Sequence, residues 1–381
     1  MKGYTKMEKN RFFAEAHGRF GFGCMRLPMK DKEVDLGQFS QMADEFIEAG
    51  FNYFDTAHGY IGGKSELAIK ECLVRRHDRS EFLLTDKLTD SYFEKQEDIV
   101  PFFESQLEAC GVEYFDFYLM HAQNRKNYVK FKECRAYETA YGLKKQGRIK
   151  HLGLSFHDSP ETLDMILTEH PEVEVVQIQF NYLDYEDPSV QSRAVYEVCV
   201  KHGKPVIVME PVRGGNLANL PDEAKEILDS LGGGSNASYA LRFAVDFDNI
   251  FMVLSGMSDL DQLRDNVSFM REPVPMNEAE LAALGRVREI IEEKNVVPCT
   301  ECRYCIEQNK CPRDIRIPDL FDILNAQNCF KNFDGKRIYG FYTARHGKAS
   351  DCIRCGRCEK VCPQHIEIRR MLMKVSEAFE D

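Results

Sequence analysis

The chain has 381 residues, a formal net charge of −12 and an ordinary hydrophobic share of 43%. Its length exceeds that of a usual single domain, so a large core with a smaller companion unit is expected. The acidic balance excludes nucleic acid and anionic membrane as partners, since phosphate-rich surfaces are bound through excess Lys and Arg. No apolar run of signal-peptide length opens the sequence and none approaches the roughly 20 residues of a bilayer crossing, so a cytoplasmic protein is expected.

Up to about residue 292 the chain alternates short β-rich apolar runs with amphipathic stretches. The strand-like runs fall at 20–25, 52–56, 82–87, 115–121, 149–155, 175–180, 205–211 and 251–256. Helical spacing marks 40–50, 64–76, 128–147 and 260–270, with Gly50, Gly147 and Gly203 as left-handed caps. Repetition of this kind predicts an α/β fold, a closed (β/α)8 TIM barrel. An open doubly wound sheet would want a GxGxxG loop after its first strand, and the residues after Met25 supply none. A last helix, 276–294, precedes an abrupt change of composition. The expected domains are therefore a barrel over 1–294 and a second unit over 295–381.

The chain has 14 cysteines, and without an export signal these read as metal ligands rather than disulfides. The second run, Cys352, Cys355, Cys358 and Cys362 before Pro363, has bacterial ferredoxin spacing, in which the fourth thiolate reaches the other cluster. In the first run, Cys299, Cys302, Cys305 and Cys311 before Pro312, the last gap is longer. The expected ligand sets are Cys299, Cys302, Cys305 with Cys362, and Cys352, Cys355, Cys358 with Cys311. A small α+β bacterial-ferredoxin-like domain holding two [4Fe–4S] clusters follows, and with it an oxygen-sensitive, anaerobic protein. Zinc is the competing metal, but the two runs offer too many thiolates for one zinc ion. The other cysteines read as small core hydrophobes, with Cys24 alone placed to line a pocket. The basic, aromatic segment 330–350 is either a solvated linker, a docking patch for an acidic electron carrier centred on Lys336 and Arg337, or a flap over the barrel mouth.

In such a barrel, polar residues at the carboxyl ends of strands face the active-site mouth. Those positions read Asp55, then Tyr60, Lys87 and His121. Asp55 is expected to pair with Lys87, the neighbouring ammonium to lower the Tyr60 phenol pKa, and His121 to orient a carbonyl. The segments FGFGCMRLP, FDTAHGYIGGKSE, LTDK, YLMH and GLS together resemble the successive motifs of the aldo-keto reductase family. The resemblance implies a catalytic set of Tyr60, Asp55, Lys87 and His121, with Tyr60 the proton donor. It further implies a nicotinamide cofactor, NAD(H) or NADP(H), with Ser155 and Gln177 on its carboxamide, Met209 at the stacking position, and Gly256, Ser258 and Asn266 at the phosphate and adenine site. Where NADP-preferring members place a lysine and an arginine, this chain has Gly256 or Met257 and Gln262, and the family's usual Asn after the serine is Phe156. Arg264 can approach a 2′-phosphate or be solvated.

Three functions stay open at this stage. The first is carbonyl reduction or alcohol oxidation with a nicotinamide, the clusters serving electron transfer, redox sensing or structure. The second is a ferredoxin-coupled oxidoreductase using a substrate radical or a flavin, for which no motif is present. The third is a nucleotide-binding regulatory subunit without turnover. The expected partners are a small carbonyl or alcohol substrate, its pocket lined by Met25, Arg26 and Tyr92, and a ferredoxin or flavodoxin-like electron carrier.

Overall fold

The structure, a computed structural model, describes residues 9–187, 190–294, 297–329 and 334–380. Eight strands form a closed barrel: β1 Phe20–Gly23, β2 Tyr53–Asp55, β3 Leu83–Leu88, β4 Phe115–Gln123, β5 Ile149–Phe156, β6 Val175–Gln179, β7 Val206–Met209 and β8 Ile250–Gly256. Each pairs in parallel with its neighbours, and β1 lies between β8 and β2. All eight coincide with the expected runs. Parallel strands buried on both faces leave an almost uninterrupted apolar record in the sequence.

The amino-terminal end of the barrel is plugged. Phe13 packs edge-on against Phe117 and Phe251, with centroids 5.1 and 4.7 Å away, and Tyr53, Leu119 and Ile207 complete the cluster. Close packing also explains Gly153 on β5, where a β-carbon would meet Leu119 at 2.5 Å and Val175 at 2.7 Å. Polar side chains are thus left to the carboxyl end.

Two helical readings need correction. The stretch read as one helix over 128–147 is two, Arg125–Glu133 and Ala136–Lys145, broken at Arg135 by a left-handed φ of 51°. The stretch 64–76 is an α-helix, Lys64–Ile69, followed by a π turn, Lys70–Val74. Hydrophobic spacing does not register a single left-handed residue or one extra residue per turn. Gly50, Gly147 and Gly203 do take the expected left-handed φ, 99°, 77° and 63°.

The chain forms two compact units, Met1–Pro211 with Leu241–Pro275, and Val212–Ala240 with Met276–Asp381. The first contains the barrel. In the second, helices Ile317–Cys329, Gly335–Thr343 and Ile368–Phe379 enclose an apolar core that includes Phe321, Leu372, Phe379, Cys305 and Cys358. Residues 295–296, at the expected domain boundary, and 330–333, in the expected basic segment, lie outside the described residues. Among the described residues no helix is long and apolar enough to cross a membrane.

Candidate active site and thiol centres

The carboxyl rim of the barrel brings together ionisable groups from successive strands. Asp55 ends β2, Lys87 is the penultimate residue of β3, and His121 lies near the end of β4. Lys87 Nζ donates to Asp55 Oδ1 at 2.6 Å and to the Thr56 carbonyl at 2.7 Å, while Gln177 Nε2 from β6 donates to Asp55 Oδ2 at 3.1 Å. Both charges are buried, which is tolerable because each has its partner. Burial nevertheless raises the Asp55 carboxyl above its ordinary value, with Lys87 opposing.

Tyr60 opens the turn Tyr60–Gly63, whose next residues, Ile61 and Gly62, take left-handed φ of 53° and 62°. The turn places the half-buried phenol ring beneath Lys87 Nζ, 4.9 Å from the centroid, and edge-on to His121 at 6.2 Å. The expected lowering of the phenol pKa is overturned. Burial pushes Tyr60 well above the ordinary tyrosine value, and the carboxylates of Asp55 and Glu210 push the same way. The physical reason is burial, while the ammonium lies over the ring face with two of its three donors on Asp55 and Thr56. Tyr60 is a neutral phenol at neutral pH, poised to give a proton only to an oxygen that gains charge.

Burial, with Lys87 nearby, holds His121 well below the ordinary histidine range, so the ring is neutral. Its Nδ1 lies 2.6 Å from Thr89 Oγ1. With Thr89 donating, the ring proton sits on Nε2, where it can be given to a carbonyl oxygen. Sequence reading missed Thr89, the residue that follows the end of β3 two positions after Lys87.

It also missed a buried polar group on the other face of β3. Side-chain atoms of Glu66, Asp86 and Cys110 lie within 4.8 Å of one another, and Gln106 Nε2 donates to Asp86 Oδ1 at 2.9 Å and to the Lys87 carbonyl at 3.1 Å. Burial pushes Glu66 up to about 7 and raises Asp86 well above the carboxylate range, so the pair retains a proton. The acid beside Lys87 in LTDK was the available signal. A third omission is Glu210, which follows β7 with a left-handed φ of 56° and whose Oε1 lies 3.7 Å from Arg26.

Among the expected cofactor positions, Ser155 and Gln177 are register partners on β5 and β6, and Ser155 Oγ accepts the Ala122 N–H at 2.7 Å. Met209 ends β7 and is partly exposed. Gly256 ends β8, where a β-carbon would meet Arg26 Cβ at 3.3 Å. Ser258 Oγ donates to the Arg26 carbonyl at 3.1 Å, and its N–H to Gln262 Oε1 at 2.9 Å. Asp259 caps the following helix, Leu260–Met270, accepting the Gln262 N–H at 2.8 Å. Asn266 is buried and donates to Ser255 Oγ at 3.2 Å. Arg264, read as a 2′-phosphate contact or a solvated residue, is exposed and makes a two-pronged ion pair with Glu45 at 2.8 and 2.7 Å. Of the expected substrate-pocket residues, Met25 and Arg26 are partly exposed, and Tyr92 is exposed and stacked on Phe102 at 5.0 Å. Cys24 does not line the mouth: it is wholly buried, its Sγ 3.7 Å from the Phe22 carbonyl.

In the second unit the two CxxCxxC runs share one backbone course. Glu301 and Arg303 have φ of 52° and 64°, and Arg354 and Gly356, at the equivalent places, have 54° and 70°. Alternating left-handed residues turn successive N–H groups inward, the concave form that suits anionic sulfur. Cys311, Cys352, Cys355 and Cys358 line one cavity, walled by Ile315 and Leu372. Cys299 lies close to Cys302 and Cys362, and Cys305 close to Cys299, Cys302, Cys362 and Cys358. Thiols gathered in an apolar setting suit iron–sulfur cubanes.

Comparison with known proteins gives two family matches. Residues 19–289 match the aldo/keto reductase family, and 298–367 match the 4Fe-4S dicluster domain. A 4-dihydromethyl-trisporate dehydrogenase of Mucor mucedo is 28% identical over 44% of this chain and 57% of its own length. A 9,11-endoperoxide prostaglandin H2 reductase of Trypanosoma cruzi is 27% identical over 46% and 56%. The chain thus matches little more than half the length of these relatives; for the uncharacterized oxidoreductase YqkF of Bacillus subtilis, 25% identical, the match spans 65% of this chain and 85% of that one. Among solved structures, an aldo-keto reductase from Klebsiella pneumoniae in complex with NADPH superposes with a TM-score of 0.61 at 18% identity, over 74% of this chain and 96% of that one.

Proposed function

Since the chain belongs to the aldo/keto reductase family of oxidoreductases, we propose that its barrel reduces a small carbonyl compound, or oxidises the corresponding alcohol, with a nicotinamide nucleotide. One observation carries the reading: the buried Lys87–Asp55 pair, a neutral Tyr60 phenol and a neutral His121 share one rim, flanked by Ser155 and Gln177. When bound, the nucleotide supplies a hydride. The protein's own part is to place and protonate the oxygen.

His121 Nε2–H and Tyr60 O–H are the two donors offered to the carbonyl oxygen. As that oxygen gains negative charge, the phenol proton passes to it, and Lys87, held by Asp55, steadies the tyrosinate. Ser155 and Gln177 would hold the carboxamide. Gln177 already spends its N–H on Asp55, so its carbonyl is the end turned to an incoming amide. In the second unit, the two thiol sets would hold two [4Fe–4S] clusters that exchange single electrons with a soluble carrier, rather than zinc.

The Arg264–Glu45 pair and the acidic cap at Asp259 favour NADH over NADPH. Steady-state kinetics with both nucleotides and a panel of aldehydes and ketones tests the reading. Wild-type protein is expected to turn over with NADH at least as well as with NADPH. Glu45→Gln should release Arg264 and lower the KM for NADPH about fivefold, the net worth of one ordinary hydrogen bond at an exposed site, with NADH within about twofold. Oxidation of neither nucleotide with any carbonyl, together with release of a flavin on denaturation, would replace this reading by the flavin-linked one.

A further inference from the structure

We propose that the surface around Cys355 is the docking face for an acidic one-electron carrier protein, which delivers electrons to the cluster held by Cys311, Cys352, Cys355 and Cys358. The proposal rests on the reading that the thiol sets hold redox-active clusters. It adds where the carrier binds and what kind of carrier fits.

Three observations converge on this face. Cys355 is the one exposed cysteine among the described residues, so its set comes nearest to solvent, whereas Cys305 and Cys358 are buried within the core. Electron transfer weakens steeply with distance, which makes an exposed ligand the natural port. Cys305 and Cys358, one from each set, are buried in the same apolar core, so an electron entering at Cys355 has the other cluster as its next stop.

Basic groups outnumber acids around the port. Arg313, Arg354 and Arg357 are exposed, Arg313 and Arg357 lining the Cys355 cavity, and none has a carboxylate partner among the described residues. Of the nearby acids, Glu359 pairs with Arg369 at 2.7 Å and Glu367 with Arg370 at 2.8 Å, while Asp314 is hydrogen-bonded to His346 at 2.8 Å. On a chain of net charge −12, an acidic carrier is repelled at long range almost everywhere and attracted here.

The face is also apolar enough to desolvate. Ile353 is 53% exposed and Met373 46%, and Arg354 reaches Met373 Sδ at 3.3 Å, which places the two chemistries together. A small apolar centre ringed by like charges is the pattern of weak, fast electron-transfer encounters. The Lys336 and Arg337 patch is a weaker candidate, because Arg337 is engaged by Asp334 at 3.5 Å. The transfer is simple to balance. The carrier loses one electron, the cluster falls from its 2+ to its 1+ level, and no bond or proton moves.

The test uses the anaerobic holoprotein, a reduced acidic [2Fe–2S] ferredoxin as carrier and methyl viologen radical as a small cationic reductant. Cluster bleaching gives rates, and binding of the oxidised ferredoxin gives affinity. Reversal of all three arginines (Arg313→Glu, Arg354→Glu and Arg357→Glu) is expected to cut the ferredoxin rate and affinity at least about tenfold at low salt, with the difference vanishing at high salt, and to leave viologen reduction within about twofold. Lys336→Glu with Arg337→Glu should change neither. Should the triple variant lose iron, the single neutral variants Arg354→Gln and Arg357→Gln are read in its place, each expected to lower the rate by about twofold to threefold. Ferredoxin rates unchanged in the iron-replete variants, or an effect carried by Lys336 and Arg337, overturn the docking face. Clusters that viologen cannot reduce in wild-type protein overturn the redox reading beneath it.

Discussion

Replacing Tyr60 by Phe is expected to lower the rate of carbonyl reduction by about a thousandfold, within the range that a positioned general acid contributes, while nucleotide affinity stays within about twofold. The two effects separate because the substitution removes only the hydroxyl. The phenyl ring still lies beneath Lys87 Nζ, 4.9 Å from its centroid, and Lys87 keeps its bonds to Asp55 and Thr56. The buried ion pair therefore remains satisfied, and folding should be unaffected. Transient kinetics on the reduced nucleotide, with affinity measured by fluorescence titration, gives both numbers. Turnover close to wild type would remove Tyr60 as the acid and leave His121 as the donor.

Removal of iron is expected to unfold the region from Cys299 onward and spare the barrel. Anaerobically purified protein should be brown, with about eight irons and about eight acid-labile sulfides per chain. Cys305 and Cys358 belong to the apolar core of that region, and Cys299, Cys311, Cys352 and Cys362 pack against it. A core of this size, built around eight thiols, loses its organising centre when they are freed, as small metal-centred domains do. Air or chelator should bleach the protein, expose the region from Cys299 onward to protease and leave a resistant barrel fragment. Colourless protein with stoichiometric zinc and an unchanged cleavage pattern would contradict the two-cluster account.

How much was legible varies with the range of the interaction. The strands were readable because each is a local apolar run, and the rim residues because the carboxyl ends of parallel strands share one direction. The two cysteine runs were readable from spacing alone, and the matched φ pattern at Glu301, Arg303, Arg354 and Gly356 shows the repeat extending into the backbone. What escaped depended on the third dimension. The burial that leaves Tyr60 a high-pKa phenol, and the Lys87 donor spent on the Thr56 carbonyl, both come from packing. The Glu66–Asp86 pair joins residues from a helix and a strand, and the partner of Arg264, Glu45, is 219 positions away. The grouping of Val212–Ala240 with the carboxyl-terminal residues likewise comes from distant contacts, among them Asn216 Nδ2 to the Cys299 carbonyl at 3.1 Å.

The central claim, that the rim of the barrel directs a hydride from a nicotinamide to the carbon of a carbonyl whose oxygen Tyr60 protonates, is tested most directly by isotope transfer. In an anaerobic single turnover with nucleotide deuterated at its hydride position, the account predicts one deuterium on the carbinol carbon of the product, none from solvent at that carbon, and loss of the transfer in Tyr60→Phe. Product formed with solvent hydrogen at that carbon, and with the deuterium left on the nucleotide, would contradict it.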